Sequence, residues 1–161
     1  PLEAALTTAG FYTHSPPRPA PDVVLSNARG HKRSLADERG RIVLLNFWGT
    51  SCEHCLTNMP KLEGLAERWR EKGLIVINIC ADAENAQAAQ ELVDRVSPTS
   101  IAWVDDTGLA NAQFEVQALP TLWLIDRAGE FLASSRGMKD WQAPEVETLI
   151  SLLTSRAAPS P

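Results

Sequence analysis

Two of the chain's three cysteines, Cys52 and Cys55, stand three positions apart in "NFWGTSCEHCLTNMP", the stretch from Asn46 to Pro60. Thiols at that spacing can hold a metal, form a fixed crosslink, or open and close as a redox pair. A zinc site built on a CxxC needs further ligands, yet only Cys80 and three histidines remain, with no second CxxC and no paired HxxxH. A static crosslink is also a poor explanation, because so short a loop removes little entropy from the unfolded chain. Soft thiolates suit Cu(I), so a Cu(I)-binding module or copper chaperone using Cys52, Cys55 and His54 stands as the alternative to redox exchange. Cys80 ends the apolar run "LIVINIC" and reads as a small buried hydrophobe.

Redox chemistry at the pair depends on where a helix begins. Leu56, Met59, Leu62, Ala66 and Trp69 recur at three- and four-residue steps, which predicts an amphipathic helix starting at or just before Cys52. Cys52 then sits among the unpaired N–H groups of the first turn, where the positive end of the helix dipole favours a thiolate. Cys55 follows on the same face, close enough to bridge with little backbone strain. This order makes Cys52 the nucleophile and Cys55 the resolving thiol that breaks a mixed disulfide. His54, when protonated, adds positive charge beside Cys52, and Glu53 opposes it from solvent, so both are redox-tuning candidates. Pro60 removes a backbone donor inside the helical pattern and predicts a kink near Leu56.

The surrounding pattern supplies the scaffold. "RIVLLNFW" (Arg41 to Trp48) is a continuous apolar run, as expected for a central strand covered on both faces. "LIVINIC" reads as a second buried strand after the helix stop at Gly73, and Asn85 to Val96 as a second helix. "TLWLID" and "EFLASSRG" flank an Arg127-Ala128-Gly129 turn, and "APEVETLISLLTS" is an amphipathic helix starting after Pro144. "DVVLSN" and "HKRSLAD" suggest an N-terminal hairpin around Ala28-Arg29-Gly30. The sum is an α/β fold: a thioredoxin-like sandwich with a central mixed β-sheet flanked by helices, an N-terminal β-hairpin and a central insertion. Residues 1–21 carry five of the eleven prolines and read as an extended lead-in, 22–155 as the domain, and 156–161 as a frayed tail.

Composition narrows the function classes. With 161 residues, 44% of them apolar, the chain can bury a sizeable core, and no apolar stretch approaches the roughly 18 residues of a membrane span. A net charge of −5 gives no broad basic surface, so no nucleic-acid partner is expected. The sequence opens on Pro1 with no charged-then-apolar leader, and a signal peptide or membrane anchor is expected to lie outside it.

Over about Pro21 to Leu153 these residues resemble the TlpA/ResA type of thioredoxin-fold thiol-disulfide oxidoreductase. The likeness runs in order through "PDVVLSN", "GRIVLLNFWGTSCEHC", Pro60, "ALPTLWLIDRAGEF" and "DWQAPE". It implies disulfide exchange with protein thiol or disulfide substrates and a redox partner protein. It also implies a monomer with no cofactor beyond the Cys52–Cys55 disulfide, working in the periplasm or another extracytoplasmic space, in cytochrome c or copper-site maturation. It further implies that Leu119-Pro120 is a cis-proline turn facing the cysteines, with the Leu119 backbone pairing to substrate. Trp48 matches the family's tryptophan ahead of the active-site loop and joins Leu119 and Pro120 as a substrate-binding candidate.

The chain departs from the family pattern at three places. Ser51 replaces a usual second tryptophan. Asn58 stands where CxxCxxExP carries glutamate, and Asn46 stands where thioredoxin itself has a buried carboxylate, although asparagine is common there in TlpA-like proteins. An amide cannot take up a proton, so neither position can receive one from Cys55. Two other functions share this fold. Copper-delivery proteins of the Sco type need a distal histidine, and none follows His54; peroxiredoxins need PxxxTxxC, and Leu45 and Gly49 occupy its Pro and Thr positions.

Overall fold

The computed structural model describes residues 1–156, so the expected frayed tail lies outside the described residues except for Arg156. In chain order the elements are α1 (Leu2–Thr8), β1 (Tyr12–Thr13), β2 (Val24–Ser26), β3 (Lys32–Ser34), β4 (Ile42–Trp48), α2 (Glu53–Trp69) and β5 (Leu74–Cys80). There follow α3 (Ala86–Val96), β6 (Ala102–Asp105), α4 (Ala110–Gln113), β7 (Thr121–Ile125), β8 (Phe131–Arg136) and α5 (Pro144–Ser155). The strands join in the order β1-β8-β7-β4-β5-β6-β2-β3.

β4 is buried along its whole length because it lies between β5, parallel to it, and β7, antiparallel to it. Its side chains alternate between two faces: Ile42 and Leu44 enter one apolar cluster, Val43, Leu45 and Phe47 the other. Burial on both sides is what made the sequence read as one unbroken apolar run. The β2–β3 hairpin forms as expected and joins the sheet through β6. Gly73, with φ of +103°, turns the chain after α2 so that β5 returns parallel to β4, and α2 itself runs continuously through Pro60.

Residues 1–21 differ from the extended lead-in that their prolines suggested. Leu2, Ala5, Leu6 and Ala9 recur at helical spacing, and α1 lays them into the same cluster as Trp141, Val146, Leu149, Ile150 and Leu153 around α5. Phe11 is buried there too, and Tyr12–Thr13 pairs with β8 at the sheet edge. Four of the five prolines fall at 16–21, after the helix and strand, so a composition averaged over the segment hid the periodicity of its first half. Leu6, Ala9 and Phe11 belong to the folded core.

Candidate active site: the Cys52–Cys55 pair

β4 ends at Trp48, and the loop Gly49–Ser51 carries the chain to Cys52, the N-cap of α2. The helix therefore begins at Glu53, one residue beyond the reactive position. Cys52 and Cys55 form a disulfide with their Cα atoms 5.3 Å apart. The Cys52 Sγ accepts the backbone N–H of Cys55 at 3.2 Å, and the Cys52 N–H donates to the Gly49 carbonyl at 3.1 Å. Cys52 thus hangs from a closed turn on one side and caps a helix on the other. It is half-buried, whereas Cys55 is only 3% exposed. Glu53 and His54 lie exposed beside them.

Under the pair sits an apolar cluster of Trp48, Cys55, Met59, Cys80, Ala89, Val93 and Ala102. Trp48, expected among the substrate-binding residues, is 0% exposed and cannot touch a substrate in this structure. It is the floor beneath the disulfide, held in register beside Cys80, and its indole N–H has no hydrogen-bond partner. Cys80 is a buried free thiol, as its place in the apolar run suggested. Burial, together with the charge of Asp82, pushes its pKa up to about 11 and keeps it protonated.

The Leu119-Pro120 bond is cis, the form that the resemblance implies. Pro120 is buried and its carbonyl accepts the N–H of Gly137 at 3.0 Å, while Leu119 is 36% exposed. Leu119 lies against Gly49: a Cβ added there would collide with the Leu119 side chain, so glycine is what lets this turn approach the loop ahead of Cys52. Leu119, partly exposed, thereby lies beside the loop that leads to Cys52, and Glu53 and His54 are exposed in the first turn of α2.

Asn46, at thioredoxin's acidic position, and Asn58, at the glutamate position of CxxCxxExP, are both buried and both hydrogen-bonded. Asn46 donates its Nδ2–H to Asn78 Oδ1 at 2.9 Å, and Asn58 donates to the Lys139 carbonyl at 3.3 Å. A residue that sequence patterns did not single out also reaches the loop. Asp82 Oδ1, just beyond β5, accepts the Thr50 N–H at 2.8 Å. Its only signal in the sequence was its place two residues after a buried strand, which is too common to be noticed. Among the described residues no group of three or more His, Cys, Asp or Glu is placed to hold a metal ion, and no helix is long and apolar enough to cross a membrane.

Fold and site together define a thioredoxin-like protein of the α/β class with a CxxC disulfide at a helix N-terminus. The chain belongs to the AhpC/TSA family, whose family model matches residues 16–133. It is 32% identical over 111 residues to the thioredoxin-like protein YneN of Bacillus subtilis, covering 68% of this chain and 65% of that protein. It is 34% identical over 118 residues to the thiol-disulfide oxidoreductase ResA of Bacillus thuringiensis, covering 73% of this chain and 68% of that one. A Chlorobium tepidum protein assigned as a thiol:disulfide interchange protein DsbE superposes with a TM-score of 0.76 at 26% identity, over 86% of this chain and 96% of that one. The TlpA/ResA resemblance is therefore borne out by relatives of that type. The chain spans about two thirds of the length of the curated relatives that it matches, 65% in the case of YneN.

Proposed function

We propose that this protein is a thiol-disulfide oxidoreductase that exchanges disulfides with protein substrates through Cys52 and Cys55. The observation that carries the reading is the asymmetry of the pair: a half-exposed sulfur capping a helix, bridged to a partner that the core hides. The names of its relatives, ResA and DsbE, support the same class of chemistry.

In the reducing direction the Cys52 thiolate attacks one sulfur of a substrate disulfide, forming a mixed disulfide and releasing the other substrate sulfur as a thiolate that takes up a proton. Cys55 loses its proton, attacks Cys52, and releases the second substrate thiol. Two electrons and two protons pass to the substrate, and the Cys52–Cys55 disulfide re-forms. The reverse sequence supplies a disulfide, and the measured potential decides the direction. With Asn46 and Asn58 uncharged, the proton of Cys55 leaves to water, to a carboxylate outside those positions, or to the substrate.

The wider setting follows from the TlpA/ResA resemblance: a monomer in an extracytoplasmic space, regenerated by a redox partner protein and serving cytochrome c or copper-site maturation. The exposed Leu119 beside the cysteines supports pairing with an extended substrate segment. The test is a Cys55→Ser variant, which stalls at the mixed disulfide and captures its substrate for identification. A variant that captures no protein through Cys52 in an extracytoplasmic extract would overturn the reading.

A further inference from the structure

The usual acidic positions are amides here, yet a carboxylate reaches the loop ahead of Cys52 from another element. Asp82 Oδ1 accepts two donors at once, the Thr50 backbone N–H at 2.8 Å and the Cys80 thiol at 3.6 Å. A Cβ placed on Gly49 would lie 3.4 Å from Asp82 Oδ2, so the carboxylate runs along the flank of Gly49 and Thr50. The Cys52 N–H closes the same turn onto the Gly49 carbonyl. Asp82 therefore holds the segment from which Cys52 hangs.

We propose that Asp82 is a positioning residue of the exchange reaction, fixing the Gly49–Thr50 turn and biasing the Cys52–Cys55 couple toward its disulfide form. The proposal rests on the reading that these two cysteines are the exchanging pair. Reduction creates a thiolate at Cys52, two residues beyond the amide that Asp82 grips, and a neighbouring negative charge disfavours that form. Solvent screens the repulsion, because Asp82 is exposed, so the effect is modest.

The other charges around Cys52 leave Asp82 distinctive. Glu53 and His54 lie on the reactive helix itself, both exposed. The turn before β7 presents Gln117, Ala118 and Leu119, none of them charged. Behind α2, Lys139 turns its ammonium to the Ala9 and Gly10 carbonyls at 2.9 and 3.0 Å, and the Asp140 carboxylate accepts from the Gln142 N–H. Asp82 is thus a charge fixed to the active-site loop by a hydrogen bond from a different element. The same carboxylate accepts from Cys80, which holds the third sulfur of the cluster as a protonated donor outside the exchange.

The experiment is equilibration of the full chain with glutathione buffers, in which two glutathione thiols reduce the protein disulfide and yield one glutathione disulfide. Asp82→Asn keeps an oxygen for Thr50 and removes the charge; Asp82→Ala removes both. The Asn variant is expected to shift the equilibrium about fivefold toward the dithiol, with the shift shrinking at high salt, and to extend Cys52 alkylation to lower pH. The Ala variant is expected to show that shift and also slower exchange with a cysteine-containing peptide. An Asn variant matching the wild type in both equilibrium and pH profile would overturn the charge effect, and an Ala variant with wild-type exchange rates would overturn the positioning. A wild-type pair that never equilibrates with glutathione is a different result, which overturns the oxidoreductase reading and the proposal for Asp82 with it.

Discussion

The Cys52 sulfur accepts the backbone N–H of Cys55 at 3.2 Å, so the nucleophile also caps the helix that carries its partner. When the disulfide opens, that donor is already aimed at the sulfur which must bear negative charge, and the helix N-terminus adds to the effect. Reduced protein treated with limiting iodoacetamide is therefore expected to be alkylated at Cys52 first, with Cys55 and Cys80 labelled only after unfolding. Mass analysis of the peptides reads the order. Equal labelling of Cys52 and Cys55 would remove the division of labour between them.

Gly49 offers a second test, because the space it leaves is occupied by the Leu119 side chain. Gly49→Ala displaces the outer methyl of the partly exposed Leu119 side chain from its place against the active-site loop. Exchange with a protein substrate is expected to fall roughly tenfold, about 1.4 kcal/mol in transition-state terms, while reaction with small glutathione changes little. Parallel rate measurements with the two substrates check this; an equal loss with both would show that the substitution disturbs Cys52 and not the docking surface.

Much of this arrangement was legible before the fold was seen, for identifiable reasons. β4 and β5 declared themselves because a strand buried on both faces has no choice but to be apolar throughout. The CxxC declared itself because few other uses of two cysteines survive elimination. The position of Trp48 was legible, but its exposure was not, since an aromatic residue beside a reactive loop can face inward or outward without changing the sequence pattern. Asp82 was invisible for a different reason: its partners, Thr50 and Cys80, include a backbone amide 32 residues away, and backbone partners leave no mark in sequence. The N-terminal helix is hidden in composition, because the prolines at 16–21 outweigh the short apolar repeat of α1.

That helix can be tested directly. Leu6 is 3% exposed and packs in the cluster around α5. Leu6→Ala is expected to destabilise the chain by about 2–4 kcal/mol, read as a lower denaturant midpoint at unchanged slope. A midpoint within error of the wild type would return residues 1–11 to the extended lead-in that composition suggested.

Cys80 supplies a pH dependence. Its folded pKa is raised from 9.0 to about 11 by burial and by Asp82, so the folded state holds its proton more tightly than the unfolded state does. The protonated thiol contributes its full stability below pH 9.0, and the contribution is lost as pH rises from there to about 11. The loss amounts to roughly 2–3 kcal/mol. Cys80→Ala is expected to flatten the alkaline limb of the stability curve measured by urea unfolding, and an unchanged limb would assign it to other groups.

Asn58 sits three residues after Cys55 on the same helical face, buried, with its amide donated to the Lys139 carbonyl. Asn58→Glu restores a carboxyl group at the position where the CxxCxxExP pattern has one. Ionised, that group cannot donate to Lys139 and brings a charge into a site that is 6% exposed, so the fold is expected to lose about 1–3 kcal/mol at neutral pH. Burial raises the carboxyl pKa, so the loss shrinks as pH falls and the group protonates. The same raised pKa makes it a proton acceptor for Cys55 near neutrality, which neither Asn46 nor Asn58 can be. Breakdown of a preformed mixed disulfide between Cys52 and glutathione is therefore expected to accelerate severalfold in the variant, followed as the release of glutathione in a single turnover. An unchanged release rate, with the stability loss present, would mean that the Cys55 proton already leaves without hindrance and that the missing acid does not limit this enzyme.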